Sequence, residues 1–333
     1  NFILHDCNGG NSSEPVGGQH GGAIFSKDAS PTFSNCVFTN NRAAAGMGLG
    51  YGGAVCVVGG APVFENCDFS GNIASSGGAV GVFEAANATF INCNFTANTL
   101  RDSLAGNRGG ALYVEGATVT VTGGSVVNNS AAGSGGAMYM SASEATFEGV
   151  EVRNNRARAG GGAIAASGGS LAMRSMQLRD NSTLAGNGGG VSANGTALEL
   201  RNVRATNNIA PNIGGAVSAF SVSGVVENCQ FDGNSGGSVG GLFLLGAGPV
   251  SVHNNMIMEN AGGGLMVSGT EASENWNNIW NNAGGDNLSS PAGRLSFSLD
   301  PLFVNPAAGD FGLGQYSPNV DGGADNPACL DPD

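Results

Sequence analysis

Residues 135–155 read GGAMYMSASEATFEGVEVRNN, and residues 161–181 read GGAIAASGGSLAMRSMQLRDN. Both segments begin with Gly-Gly-Ala, and both end with an asparagine that follows an apolar residue by three positions: Val152 before Asn155 and Leu178 before Asn181. The two asparagines lie 26 positions apart. Self-similarity at a fixed period of this size is typical of solenoid proteins, in which each repeat is one small structural unit.

The apolar residue followed by asparagine occurs ten times along the chain. Its asparagines are Asn41, Asn72, Asn98, Asn129, Asn155, Asn181, Asn208, Asn234, Asn260 and Asn282. Equivalent positions in successive units of a solenoid contact each other. We therefore predict that the ten asparagines stack as an internal ladder, in which each side-chain amide hydrogen-bonds the backbone of a turn and the next amide.

The segments between these marks have the character of short strands. They are rich in β-branched and aromatic residues and are bounded by glycine and asparagine. After Gly-Gly-Ala the apolar residues alternate, as in Leu112 and Val114 or Met138 and Met140, which places one face of each strand on a core. We predict an all-β fold: a single right-handed parallel β-helix (solenoid) of about ten coils with a C-terminal capping segment.

The same pattern divides the chain into three segments. Residues 1–20 are predicted to lead into the β-helix, and residues 21–285 contain its repeats. Residues 286–333 lack the repeat, and we expect them to form a capping or linker segment that continues into a longer protein.

The amino-acid composition limits the kinds of molecule that the chain can bind. Glycine accounts for 59 of the 333 residues, charged residues make up 11%, and the formal net charge is −13. Lys27 is the only lysine, so the clustered cations that neutralise phosphates are absent and nucleic acid is excluded as a partner. No apolar run is long enough to span a membrane. We expect an extracellular or cell-surface location.

The repeats resemble those of a known family. Their paired GGA[ILV] and FxxN signatures resemble the repeats of the chlamydial polymorphic outer-membrane proteins, a likeness that covers about residues 21–282. The tail, with DPLFVNP at residues 300–306 and SPNVDGG at 317–323, is similar to the closing segment of secreted β-helix proteins of the pectate-lyase-like superfamily. The first resemblance implies a surface adhesin, and both imply a parallel β-helix.

Arginines are concentrated between positions 153 and 204, where seven of them accompany only Asp180 and Glu199. The candidate glycan-binding residues in this stretch are Arg153, Arg156, Arg174, Arg179, Arg201 and Arg204. Two interpretations remain open: a solvated face, or a cleft in which guanidinium groups bind the anions of a uronate or sulfated glycan. Tyr113 and Tyr139 alternate outward, and their rings could stack on sugars.

Catalytic and metal-binding patterns are scarce. No catalytic residue is predicted, and Cys36, Cys67, Cys93 and Cys229 lack the paired short spacing of a zinc site, so we interpret them as core residues. The acidic tail offers Asp321, Asp325 and Asp331 as Ca²⁺ ligands, without the spacing of an EF-hand. Ca²⁺ is the only cofactor that the sequence suggests.

The preferred hypothesis is a non-catalytic extracellular or cell-surface β-helix that acts as an adhesin, a stalk or a structural component of a coat or filament. The alternative is a β-helix protein that binds acidic polysaccharides or degrades them by a lyase-type reaction. The expected partner is an extracellular polysaccharide or the surface of a host or neighbouring cell. The unpaired strand edges at the ends of a β-helix also suggest end-to-end self-association.

Overall fold

The computed structural model describes residues 2–5, 11–12, 18–43, 49–101, 106–269, 271–289, 295–305, 310–314 and 316–319. These residues form 39 strands and no helix. In particular, they contain no helix long and apolar enough to cross a membrane. The prediction of an all-β parallel solenoid is confirmed.

The strands in chain order are β1 (Phe2–His5), β2 (Asn11–Ser12), β3 (Gly18–His20), β4 (Ile24–Lys27), β5 (Thr32–Ser34), β6 (Cys36–Thr39), β7 (Arg42–Ala43), β8 (Leu49–Tyr51), β9 (Val55–Val58), β10 (Val63–Glu65), β11 (Asp68–Ser70), β12 (Ile73–Ala74), β13 (Val80–Phe83), β14 (Asn87–Ile91), β15 (Asn94–Thr96), β16 (Thr99–Leu100), β17 (Leu112–Glu115), β18 (Thr118–Thr122), β19 (Ser125–Val127), β20 (Ser130–Ala131), β21 (Met138–Glu148), β22 (Glu151–Arg153), β23 (Arg156–Ala157), β24 (Ile164–Arg174), β25 (Gln177–Arg179), β26 (Ser182–Thr183), β27 (Val191–Asn194), β28 (Ala197–Arg201), β29 (Arg204–Thr206), β30 (Ile209–Ala210), β31 (Val217–Glu227), β32 (Gln230–Asp232), β33 (Ser235–His253), β34 (Met256–Met258), β35 (Ala261–Ser268), β36 (Ala272–Asn275), β37 (Asn278–Trp280), β38 (Phe303–Asn305) and β39 (Asp310–Leu313).

Two large sheets form the wall of the solenoid. The first has eleven parallel strands in the order β1, β6, β11, β15, β19, β22, β25, β29, β32, β34 and β37, so that each coil adds one strand. The second has 23 strands and contains the remaining segments of the coils. Two small sheets lie outside this wall, β2 with β3 and β8, and β38 with β39.

The core consists of columns of like side chains. Phe69 stacks on Phe38 with ring centroids 4.7 Å apart and on Phe95 at 4.8 Å. All three rings are fully buried. Their separation equals the distance between neighbouring strands, so the stacking follows directly from the in-register pairing of the coils. Cys67 and Cys93 are buried and free, in keeping with a core role.

The ten asparagines of the repeat lie in one buried column. In the middle of this column, the backbone N–H and Nδ2 of Asn155 donate to Oδ1 of Asn181 at 2.9 and 3.0 Å. Nδ2 also donates to the carbonyl of Val126 at 2.8 Å. The same pattern runs from Asn41 to Asn282, so each asparagine satisfies the polar groups of the corner it occupies.

A second, shorter column occurs at another corner. The backbone N–H of Cys229 donates to Oδ1 of Asn255 at 2.9 Å, and the N–H of Asn255 donates to Oδ1 of Asn277 at 3.0 Å. The N–H of Asn277 ends the series at Oγ of Ser296, 3.2 Å away. Asparagine therefore replaces cysteine at this corner towards the C-terminus.

The Gly-Gly pairs allow a close approach between neighbouring coils. Gly135 has a positive φ of 71°, which the turn requires. At Gly136, a Cβ atom would lie 2.1 Å from the carbonyl oxygen of Gly162 and 2.6 Å from the backbone of Arg156. The second glycine of the pair is therefore needed for space between neighbouring coils.

The C-terminal segment covers the end of the eleven-stranded sheet. The N–H of Ile279 donates to the carbonyl of Phe297, and the N–H of Phe297 donates to the carbonyl of Asn277, both at 2.9 Å. β38 and β39 then form an antiparallel pair. The predicted Ca²⁺ ligands Asp321, Asp325 and Asp331 lie outside the described residues.

Candidate functional site

The candidate arginines are distributed over three faces of the solenoid. Strand by strand, they are Arg153 in β22, Arg179 in β25 and Arg204 in β29 on the eleven-stranded sheet, Arg174 in β24 and Arg201 in β28 on the second sheet, and Arg156 in the short strand β23. A single cleft containing all six, as the sequence suggested, is therefore not formed.

Two of these arginines are neutralised by glutamates on the same sheet. Arg174 donates through Nε and Nη2 to the two carboxylate oxygens of Glu199, at 2.8 Å each. Arg201 donates to the same carboxylate at 2.9 Å and forms an ion pair with the buried Glu227. The hydrogen bond from Arg174 is the main cause that lowers the pKa of Glu199, and Arg201 adds to it.

Arg153 and Arg179 are paired as well. Both contact Glu151, at 3.2 and 2.7 Å, and Arg179 also contacts Asp180 at 2.9 Å. Burial raises the pKa of Glu151, but the hydrogen bonds from Arg179 and Arg153 outweigh it and the pKa is lowered. The count of charges between positions 153 and 204 overstates the unpaired positive charge, because Glu151 and Glu227 lie outside that stretch and pair with its arginines.

This pairing predicts a pH dependence. Because the pKa of Glu199 is lowered in the folded chain, its contribution to stability is complete above the ordinary glutamate pKa and is lost as the pH falls through the lower pKa of the folded chain. We expect wild type to lose about 0.5 to 1 kcal/mol more stability than the Glu199→Gln variant between pH 6 and pH 3, a difference that stays small because the pair is partly solvated. Urea unfolding of both proteins at the two pH values measures this difference, and equal losses would contradict it.

The tyrosines have different environments. Tyr139 is only 7% exposed, and the guanidinium of Arg108 lies 4.5 Å from its ring centroid and hydrogen-bonds its hydroxyl. The predicted open sugar platform at Tyr139 is therefore wrong. Tyr113 is half-buried, stacks on Tyr139 at 5.6 Å and donates its hydroxyl to Glu115 at 3.1 Å. Burial, reinforced by Glu115, raises the pKa of Tyr113.

Arg156 belongs to a different feature, a groove of about 450 Å³. Within the described part of the chain, its lining residues are Thr99, Leu100, Arg101, Ser130, Ala131, Ala132, Arg156, Ala157, Arg158 and Leu184. We call this feature the arginine groove. Arg156 and Arg158 are exposed, and neither forms an ion pair with any described residue.

The arginine groove follows from the register of four short strands. Thr99 of β16 pairs with Ser130 of β20, which pairs with Arg156 of β23, which pairs with Ser182 of β26. Each strand has only two residues, and the buried second residue points into the core. The residue that follows each strand is Arg101, Ala132, Arg158 or Leu184, so four successive coils line one continuous surface.

Arg101, Arg156 and Arg158 therefore all line the arginine groove. Arg156 was among the candidates, Arg158 was counted only as part of the arginine-rich stretch, and Arg101 was missed. A signal for Arg101 exists in the sequence: it follows Thr99-Leu100 just as Arg158 follows Arg156-Ala157. Aligning the repeats at their asparagines, Asn98 and Asn155, places both arginines at the same position of the coil.

Comparison with known families agrees with this architecture. The sequence model of the family described as a right handed beta helix region matches residues 10–149 and 135–299. The chain belongs to this right-handed beta helix family. No curated protein and no solved structure matches the chain.

The arginine groove of this right-handed beta helix contains the donor groups that anion binding requires. A guanidinium group donates a planar pair of hydrogen bonds to a carboxylate or a sulfate. No carboxylate, histidine, lysine or thiol occurs among the described lining residues, so they include none of the usual proton-transfer groups. The described residues also contain no group of three or more histidine, cysteine or acidic side chains that could hold a metal ion.

Proposed function

We propose that this right-handed beta helix is a non-catalytic extracellular or cell-surface protein that binds an acidic polysaccharide through the arginine groove. In this role it acts as an adhesin or as a structural component of a surface layer. The observation that carries the proposal is the presence of Arg156 and Arg158, exposed and without a carboxylate partner among the described residues, in a groove that crosses four coils. A groove that crosses several coils suits an extended polymer better than a compact small molecule.

The distribution of charge over the chain supports a local anion-binding site in the arginine groove. The whole chain has a net charge of −13, so its overall field repels polyanions and any attraction must come from nearby groups. Elsewhere, Arg174 and Arg179 are already bound to glutamate or aspartate. Because the groove is open to solvent, its attraction for a polyanion should weaken as salt is added.

Non-catalytic binding is favoured over the lyase-type alternative. A lyase needs a group that removes the proton beside the uronate carboxylate. The lining residues described in the groove are arginine, serine, threonine, alanine and leucine, which suit recognition of the anion and its sugar hydroxyls. Binding should therefore leave the polysaccharide intact.

The test is retention of the protein on immobilised polygalacturonate and hyaluronate, with neutral dextran as a blank. We expect the double variant Arg156→Gln/Arg158→Gln to bind the preferred acidic polymer at least about tenfold more weakly, because each lost charge-assisted hydrogen bond is worth about 1.5 kcal/mol or more. The matched control is Arg174→Gln/Arg179→Gln, which removes the same charge from arginines that are already ion-paired. We expect the control to bind like wild type.

Three results would contradict the proposal. Equal weakening in both double variants would mean that net charge and not the groove determines binding. Tighter binding of polyglutamate than of either polysaccharide would indicate a site for acidic peptides. Release of new unsaturated chain ends during the experiment would replace the binding function with a lyase.

A further inference from the structure

Three cysteines occupy equivalent positions on consecutive coils of the solenoid. Cys36, Cys67 and Cys93 immediately precede Val37, Asp68 and Asn94, which pair with one another in the eleven-stranded sheet. The backbone N–H of Asn94 donates to the carbonyl of Cys67 at 2.9 Å, so the coils stay paired at this corner and neighbouring cysteine Cα atoms are about 4.8 Å apart. This separation lies within the range of about 4.4 to 6.8 Å that disulfides span.

The thiols of Cys67 and Cys93 approach each other inside the solenoid. Both residues are fully buried, and the structure shows both as free thiols. Sγ of Cys93 donates to the carbonyl of Phe64 at 3.3 Å, and Phe64 belongs to the coil of Cys67. A hydrogen bond between the two thiols is the main cause that lowers the pKa of Cys67 and raises the pKa of Cys93. Cys67 therefore forms the thiolate more readily, and the thiolate is the form that reacts.

The column favours the pair of Cys67 with Cys93. On the coil after Cys93 the equivalent position is Gly124, since the N–H of Ser125 donates to the carbonyl of Cys93 at 3.1 Å. Glycine has no side chain there, so Cys67 is the neighbour of Cys93 that carries sulfur. Cys36 also hydrogen-bonds Cys67, but it lowers the pKa of Cys67 less than Cys93 does.

The other described cysteines have different neighbours. Cys56 in β9 pairs with Phe25 and Gly81 on the adjacent coils. Cys229 lies between Val203 and Asn255, which contact it through hydrogen bonds at 3.5 and 2.9 Å. Neither of them has a described cysteine on a neighbouring coil.

We propose that Cys67 and Cys93 form an oxidation site at which a disulfide links two consecutive coils when the chain folds in the presence of a small disulfide such as oxidised glutathione. The Cys67 thiolate attacks one glutathione sulfur, and the other half leaves as a thiolate. The Cys93 thiolate then attacks the sulfur of Cys67 and displaces the second glutathione. Two protein thiols are oxidised, one glutathione disulfide is reduced, and the two protons pass to the departing thiolates.

Burial determines when this reaction occurs. Glutathione is too large to reach two fully buried sulfurs, so the exchange takes place before the coils close over Cys67 and Cys93. Once they have closed, the same burial protects the disulfide from reductants. The site is independent of glycan binding, because neither cysteine lines the arginine groove.

The test is to refold the whole chain from urea in a buffer of reduced and oxidised glutathione. Remaining thiols are then blocked with iodoacetamide in denaturant, and the disulfides are located by peptide mass spectrometry. We expect most of the refolded protein to contain one linked pair of peptides, with Cys67 joined to Cys93. Folded, reduced protein kept in the same buffer should show no such link, because its thiols are buried.

Variants show whether this particular pair is required. Cys93→Ser should abolish the link and the rise in melting temperature that oxidation produces in wild type, which we expect to be several degrees because the disulfide restricts the unfolded chain. The matched control is Cys229→Ser, which removes an equally buried thiol of the same corner and should retain both the link and the rise.

Two results would overturn the inference. In one, refolded wild type has Cys67 and Cys93 both alkylated. In the other, Cys67 is linked as often to Cys36 as to Cys93, which would mean that the column does not select a pair. Export of the chain to the bacterial periplasm, followed by the same peptide mapping, repeats the test without refolding. Soluble exported protein with both thiols free would likewise contradict the inference.

Discussion

Replacing Gly136 by alanine should prevent folding or lower the free energy of unfolding by about 3 kcal/mol or more. The added Cβ would lie 2.1 Å from the carbonyl oxygen of Gly162 and 2.6 Å from backbone atoms of Arg156. Both contacts are to backbone that is held by inter-coil hydrogen bonds, so neither neighbour can rotate away. Relief would require separating two coils, which disrupts the ladders on both sides.

The measurement is urea unfolding followed by circular dichroism, together with the yield of soluble protein. Gly106→Ala is the matched control, because a Cβ at that position meets nothing within 4 Å and the backbone there has no positive φ. We expect the control to be as stable as wild type. A Gly136→Ala protein with wild-type stability would show that the coils can separate at low cost.

Asn155→Ala should lower the free energy of unfolding by about 2 to 4 kcal/mol. The substitution removes the donors to Asn181 Oδ1 and to the Val126 carbonyl, and it removes the Oδ1 that accepts from Asn129. The buried Val126 carbonyl and the buried backbone N–H of Asn129 lose these partners, whereas Asn181 Oδ1 keeps the donor from the backbone N–H of residue 155. The cost therefore exceeds that of a single exposed hydrogen bond.

The adjacent asparagine offers the control for this experiment. Asn154 is exposed and has a positive φ of 56°, a conformation that glycine adopts freely. Asn154→Gly should change the stability by only a few tenths of a kcal/mol. If thermal and urea unfolding gave Asn155→Ala the same stability as Asn154→Gly, the column would be a consequence of the fold and would not stabilise it.

The fold was predictable because each coil contacts a near copy of itself. A residue that suits a buried corner in one coil suits the same corner in the next, so Asn155 and Asn181 mark equivalent positions without any knowledge of distant contacts. The same reasoning could have found Asn255 and Asn277, each two positions before the apolar residue of its repeat, where Cys229 occurs one unit earlier. That column was missed because the residue type changes from cysteine to asparagine within it, so a series defined by cysteine ends at Cys229.

The site was harder to predict, because pairing between neighbouring coils decides which charges are available. Glu199 lies 25 positions from Arg174 in the sequence, yet the two side chains are in contact. A count of charges along the chain cannot show this pairing. Exposure was misjudged for a similar reason: Tyr139 points outward by alternation, but Arg108 from the preceding coil lies over its ring.

Every rung of the asparagine column has the same orientation. The backbone N–H of each asparagine donates to Oδ1 of the C-terminal neighbour, and Nδ2 also donates to that oxygen, so these bonds form an array of aligned dipoles comparable to the macrodipole of an α-helix. Its positive end is at Asn282, whose N–H and Nδ2 both donate to Oδ1 of Asp286, at 2.8 and 3.0 Å. An asparagine there would only extend the dipole, whereas a carboxylate compensates it. The capping segment therefore ends the solenoid electrostatically as well as sterically.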